Sequence, residues 1–386
     1  MPDWIWFAFI FAFGCCIGSF LNVVIYRFPK DRSLIKPASS CPACGGLIRF
    51  YDNIPLLSWL LLGAKCRRCK ASISPRYFIV ELLTGSVFLG LYIVYFRSGL
   101  RTAMPQFLDG GWLIYVVSII LLASLIAASA IDLELWVIPL SICWFATAAG
   151  LAGCALAGYV IDPELRRAYR LLPAASAATA SLALGAAVGL AISLVLLATG
   201  VVKRSYKSDE SEQSEADGND SQPNCENSKE RGASYHRLEV CREVIFLFPV
   251  VACSLAAYWG LRGRPWWQSF SQHTVIAGLL GSLWGYFVGC AVVWATRILG
   301  TLGFGKEAMG LGDVHLMGAA GTVVGPVFVV AAFFIAPFFG LAWAGCQMFF
   351  KKMRQIPYGP FLSLGVFTVM ILHDWILDYW NSMFFR

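Results

Sequence analysis

Two acids stand where an apolar chain has little reason to keep them. Asp313 sits in Gly310-Leu311-Gly312-Asp313-Val314-His315, and Asp132 in Ala130-Ile131-Asp132-Leu133-Glu134. An ionised carboxylate is expensive near a bilayer core, so one kept there usually lines an internal cavity and has a task. Gly310 and Gly312 let a backbone approach closely and loosen the start of a helix. Two carboxylates that share a site cannot both ionise cheaply, so they titrate as a unit. One can take a proton from water while the other polarises or protonates a carbonyl, which is aspartic-protease chemistry. Spacing alone leaves alternatives open. Asp132 also reads as a lone interfacial acid at a helix end. Glu134 competes with it, although a helix turns residue i+2 to another face. His315 reads as an interfacial polar residue rather than a third catalytic group. His236, His273, His315 and His373 are too scattered to form a metal cluster, and neither a Ser/His/Asp order nor His-Glu-x-x-His occurs.

A second chemistry is written in Cys41-Pro42-Ala43-Cys44 and Cys66-Arg67-Arg68-Cys69, two C-x2-C pairs with 21 residues between them. Each pair folds into a knuckle that presents two thiolates to one tetrahedral ion, so the spacing points to structural zinc. A redox pair or ordinary cysteines are the competing readings. In a reducing compartment metal binding is favoured over disulfides. Lys65, Arg67, Arg68 and Lys70 also favour the thiolate form. Most of the 13 cysteines, Cys143, Cys154 and Cys290 among them, fall inside apolar runs and read as small packing residues.

The elements that position these groups follow from composition. Of 386 residues 58% are hydrophobic and 14% charged, well past a soluble domain, so the chain is expected to be all-α and polytopic, with about eight to ten membrane helices. The net charge of +7 clusters in particular loops, as orientation by the positive-inside rule requires, and nothing in it suggests nucleic-acid binding. The first apolar run, 4–26, has no basic n-region and is followed by Arg27 and Lys30. It reads as a retained helix with its N-terminus outside, not as a cleaved signal. The basic segment 27–76, which holds the four cysteines, is then a cytoplasmic domain. Membrane helices are expected near 78–96, 112–131, 137–159 and 176–202, making 77–202 the unit that carries Asp132 at the cytoplasmic end of its helix. Residues 203–243, with the acidic run 209–220, read as a disordered cytoplasmic linker. The last unit, 244–386, is expected to contain helices at 244–261 and 275–299, a short helix at 313–324 broken at Gly325-Pro326, a return through 327–350 marked by Lys351, Lys352 and Arg354, and one final helix to Tyr379. Alternation puts Asp313 on the same face as Asp132.

Gly310 to Leu316 resembles the Gly-x-Gly-Asp motif of intramembrane aspartic proteases, and the chain as a whole resembles the type 4 prepilin peptidases. The likeness is carried in order by Gly18-Ser19-Phe20-Leu21-Asn22, both cysteine pairs, Tyr51-Asp52-Asn53-Ile54-Pro55, Ser74-Pro75-Arg76-Tyr77 leading to Glu81, Asp132 with Ile138-Pro139, the Gly-Leu-Gly-Asp, and residues 356–364. It implies a membrane-embedded aspartic endopeptidase of the bacterial inner membrane, with Asp132 and Asp313 catalytic. The substrates implied are type IV prepilins or pseudopilins, whose basic leader is cut at the cytoplasmic face. It also implies zinc on Cys41, Cys44, Cys66 and Cys69. N-methylation of the new terminus from S-adenosylmethionine is implied as well, with no glycine-rich nucleotide turn to support it independently. Membrane lipid is the remaining expected partner, and oligomeric state is not set by the sequence. His315 replaces a residue that is usually lysine, Leu140 replaces a residue that is commonly polar, and 160–275 is an expansion of the compact pattern. An ion-coupled transporter or a zinc-bearing membrane scaffold would keep some of the same residues, but the first should show paired broken helices and internal symmetry, and no plain repeat is found.

Overall fold

The computed structural model describes residues 3–36, 39–41, 43–102, 104–201, 225–349 and 357–384. Among them every regular element is helical, apart from two isolated bridges at Ser40 with Leu47 and Lys65 with Ser72. The α-helices are α1 (Asp3–Arg27), α2 (Leu57–Leu61), α3 (Pro75–Phe96), α4 (Gly111–Leu135), α5 (Leu140–Val160), α6 (Pro163–Ala168) and α7 (Ala177–Ala198). There follow α8 (Cys225–Leu261), α9 (Pro265–Gln272), α10 (Thr274–Phe304), α11 (Leu311–Val324), α12 (Pro326–Phe349), α13 (Gly359–Ile371) and α14 (His373–Phe384). Eight helices among the described residues are long and apolar enough to cross a membrane, nine if the bent pair α13 and α14 counts as one span. The chain is a multi-pass membrane protein.

Close packing of these helices rests on small residues, because apolar side chains gain little from leaving lipid for protein. On α1 a side chain at Gly14 would lie 2.8 Å from the Gly85 Cα, and one at Gly18 2.7 Å from the Glu81 Cα, so α1 and α3 meet nearly backbone to backbone. Of the eight spans α4 is the most enclosed. Beside it lies α11, buried almost continuously from Asp313 to Val323. At 14 residues it is about 21 Å long. Gly325, at φ 86°, ends α11, and Pro326 opens α12. The short helix, its break and the return match the expectation from sequence.

Two expectations fail. The polar segment 203–243 does not stay irregular: from Cys225 it is the start of α8, which runs without interruption to Leu261. Glu239, Val240 and Glu243 are buried there, so α8 begins ahead of the apolar run and packs with its charged turns as well. The acidic run 209–220 and Lys351, Lys352 and Arg354 lie outside the described residues. The final helix is also not one rod. It bends by 78° between α13 and α14. The His373 ring stacks on Phe328 at 4.2 Å, with its nitrogens 2.8 Å from Asp374 Oδ1 and 3.3 Å from the Arg170 carbonyl oxygen. Anchored there, the chain turns into α14, whose Trp375 and Tyr379 face outward as on an interfacial helix.

Candidate active site

Asp132 lies in the last turn of α4 and is 5% exposed. The helix closes behind it, with Trp136 in the left-handed conformation donating its N–H to the Asp132 carbonyl at 2.9 Å. A carboxylate at a helix C-terminus meets the wrong end of that dipole. Here it points instead at the first turn of α13, where the Gly359 N–H donates to Asp132 Oδ2 at 3.2 Å. Residue 359 has to be glycine for this approach, since a Cβ there would stand 2.6 Å from Oδ2. Ser129 Oγ donates to Ser363 Oγ at 2.8 Å and pins the same two helices one turn further along.

Asp313 lies in the first turn of α11 and is 8% exposed. Gly310 is the N-cap beside it, where a Cβ would stand 3.6 Å from Asp313 Oδ2, while Oδ1 is buried without a protein hydrogen-bond partner. Both acids therefore end at helix N-termini, where partial positive charge favours a carboxylate. Ile138 joins the two halves. A Cβ on Gly312 would be 2.7 Å from Ile138 Cβ, and one on Gly359 would be 3.1 Å from Ile138 Cδ1. Asp132, through Gly359, and Asp313, through Gly312, thus flank the same Ile138 side chain.

Glu134 faces away. It is exposed and accepts from Arg76, with Nη1 2.7 Å from Oε2, so the helix separates the two upstream acids as periodicity requires. His315 Nδ1 lies 3.0 Å from the Tyr286 hydroxyl and its ring packs against Trp144 at 5.5 Å, which gives it packing partners on α10 and α5. Spacing arguments missed Gly359 and the Ser129–Ser363 tie. The available signal was Tyr358-Gly359-Pro360, a glycine and a proline in a helix's first turn. Also missed was Glu243 on α8, which engages Arg297 beside the loop leading to Gly310.

The four cysteines of the amino-terminal insertion form the other centre. Their Sγ atoms all lie within 4.8 Å of one another, with Cys41 and Cys69 3.8 Å apart. A tetrahedral ion about 2.3 Å from each sulfur needs sulfurs roughly 3.8 Å apart, so the group can hold a metal. The two halves are built alike. In the first knuckle the Cys41 N–H donates to the Gly46 carbonyl at 2.9 Å and the Gly45 N–H to the Cys41 carbonyl at 2.9 Å. In the second, Cys66 donates to Ala71 at 2.8 Å and Lys70 to Cys66 at 3.0 Å. The residue after each second cysteine, Gly45 or Lys70, is left-handed, which closes the two turns alike. Backbone N–H groups of Cys69 and Arg68 pull the Cys66 thiol down to about 6. Arg67 grips Asp52 in a fork, with contacts from 2.6 to 3.0 Å, and its guanidinium holds that carboxyl below the usual carboxylate range. The insertion is fastened to the bundle by the Leu56 N–H, which donates to buried Glu81 Oε2 at 2.8 Å.

Comparison with known proteins covers both centres. The Bacterial Peptidase A24 N-terminal domain matches residues 12–95, and the Type IV leader peptidase family matches residues 245–345. The first match holds the four cysteines and the second holds Asp313, while Asp132 falls between them. A prepilin leader peptidase/N-methyltransferase of Myxococcus xanthus is 46% identical over 151 residues, 39% of either chain. The type 4 prepilin-like proteins leader peptide-processing enzyme of Escherichia coli is 45% identical over 139 residues, 31% of this chain and 46% of its own. The prepilin leader peptidase/N-methyltransferase of Aeromonas hydrophila is 33% identical over 207 residues, 44% of this chain and 67% of its own. The match thus spans less than half the length of the first two relatives and two thirds of the third. No solved structure matches. With both family segments in order and two thirds of a curated relative covered, the chain belongs to the type IV leader peptidase family.

Proposed function

We propose that this chain is a membrane aspartic endopeptidase that removes the leader from type IV prepilins or pseudopilins. The observation that carries the reading is the convergence of Asp132 and Asp313, two buried carboxylates brought to one end of the bundle by α4, α11 and α13. One carboxylate takes a proton from a water molecule, whose oxygen attacks the scissile carbonyl carbon. The other, protonated, donates to the carbonyl oxygen. Collapse of the tetrahedral adduct breaks the C–N bond and returns a proton to the leaving amine. Asp313 Oδ1, buried without a protein hydrogen-bond partner, is the oxygen assigned to this exchange. The basic residues of 27–76 support a catalytic end at the cytoplasmic face, by the positive-inside rule. Membranes holding the chain should shorten a prepilin by its leader in a gel-mobility assay, and an unprocessed prepilin would overturn the reading.

Zinc is the ion best suited to Cys41, Cys44, Cys66 and Cys69, where it would cross-link the two knuckles as a closed structural site. Methyl transfer from S-adenosylmethionine is supported by the names of the relatives alone.

A further inference from the structure

The segment between the two family matches, 96–244, contains the polar expansion, and its last turn packs on α10, the helix that holds the loop before Gly310. Glu243 on α8 is 4% exposed by side chain and Arg297 on α10 is 1% exposed. Arg297 Nε donates to Glu243 Oε1 at 3.0 Å, and Trp294 Nε1 donates to Glu243 Oε2 at 3.0 Å, so both carboxylate oxygens are engaged. Phe246, one turn on, stacks against Trp294 at 5.8 Å. The far side of the same guanidinium grips the loop. Arg297 Nη1 donates to the Met309 carbonyl and pairs with Glu307 at 2.8 Å. Met309 is followed directly by Gly310, the N-cap of α11, where a Cβ would stand 3.6 Å from Asp313 Oδ2.

We infer that Glu243 and Arg297 are positioning residues that clamp the Glu307–Met309 loop and so fix the Gly-x-Gly-Asp turn in its working geometry. The inference rests on the peptidase reading for its kinetic consequence and gives the expansion a role in the site. An arginine fork satisfies two partners at once only in one orientation, and Glu243 sets that orientation from behind. Without it the guanidinium can follow the exposed Glu307 outward and carry the turn with it. A lysine at 297 keeps the charge and loses the fork. The charged groups around the clamp are Glu239 and Arg242 on α8, Lys306 and Glu307 on the loop, and Asp313 itself.

The test uses the full chain in detergent, with a prepilin as substrate and hydrogen exchange as a second readout. Glu243→Gln and Arg297→Lys should each lower kcat about tenfold or more while KM stays within about twofold, as expected when alignment at the reacting atoms is lost and binding is kept. Exchange should accelerate in 305–312 and remain unchanged in α7. Glu307→Gln, on the exposed end, should move both readouts the same way by a smaller factor and does not depend on refilling a buried site. Unchanged kcat and exchange in Glu243→Gln and Glu307→Gln would overturn the clamp, as would faster exchange across the whole bundle, which marks a merely structural ion pair. If the wild-type chain cleaves nothing, the peptidase reading fails, and the exchange arm still decides whether the clamp exists.

Discussion

The cysteine centre and the aspartate centre are assembled by opposite means. Cys41 and Cys69 are 28 positions apart, and each pair is shaped by its own tight turn, closed by backbone hydrogen bonds within the knuckle. Asp132 and its donor Gly359 are 227 positions apart, and nothing local brings them together. A metal-type site of the first kind survives disturbance elsewhere as long as its four ligands remain. A site of the second kind inherits every error in the packing of α4, α11 and α13. The comparison can be broken by changes that should hurt one centre and spare the other.

The largest effect is expected at the acids. Asp132→Asn and Asp313→Asn keep shape and remove the group that must exchange a proton, so each should abolish leader cleavage, a loss of about a thousandfold or more. Because the two act as a unit, the double variant should be no worse than either single one. Bound metal, measured on the same preparations, should be unchanged. Cleavage by both single variants would end the aspartic reading.

Next is Gly359→Ala. The added methyl would meet Asp132 Oδ2 at 2.6 Å and Ile138 Cδ1 at 3.1 Å, so either the carboxylate or α13 has to shift. Leader cleavage should fall by about tenfold or more, since small displacements of a catalytic group are costly. Thermal unfolding should move little by comparison. Normal cleavage by this variant would mean that α13 does not hold Asp132 in place.

The same contrast explains what could be read in advance. The knuckles were legible because C-x2-C fixes geometry within a few residues, and the membrane helices because bilayer thickness fixes the length of an apolar run. Asp313 was legible because Gly310 and Gly312 directly precede it in the chain. Gly359 and Glu243 were not, because their partners Asp132 and Arg297 are distant in sequence and only packing pairs them. The start of α8 was misread for a related reason. Its composition resembles a solvated linker, and further along the helix the burial of Glu243 depends on Trp294 and Arg297 on α10. The bend at Leu372 is set by Phe328 and Arg170, again contacts that no local pattern announces.

A smaller effect on cleavage is expected from the metal centre. Purified chain should carry about one equivalent of zinc, and Cys41→Ser should lose it, because removal of one ligand opens a closed tetrahedral site. Leader cleavage should stay within about threefold, since the knuckles and the acids are built independently. Full metal occupancy in the variant would remove the site, and a dead protease would show that the two centres are not separable.

The smallest effect should come from Glu134→Gln, which probes a direct link between the two regions. Arg76 leads from the cysteine insertion into α3, and its guanidinium reaches Glu134, two residues past Asp132. A pair with side chains 24% and 43% exposed is screened by solvent and contributes little, on the order of 1 kcal/mol or less. The change keeps the hydrogen-bonding shape and removes the charge, so cleavage should remain within about twofold of wild type. A dead Glu134→Gln beside an active Asp132→Asn would assign the upstream carboxylate to the exposed face of α4 and move the active site out of the bundle.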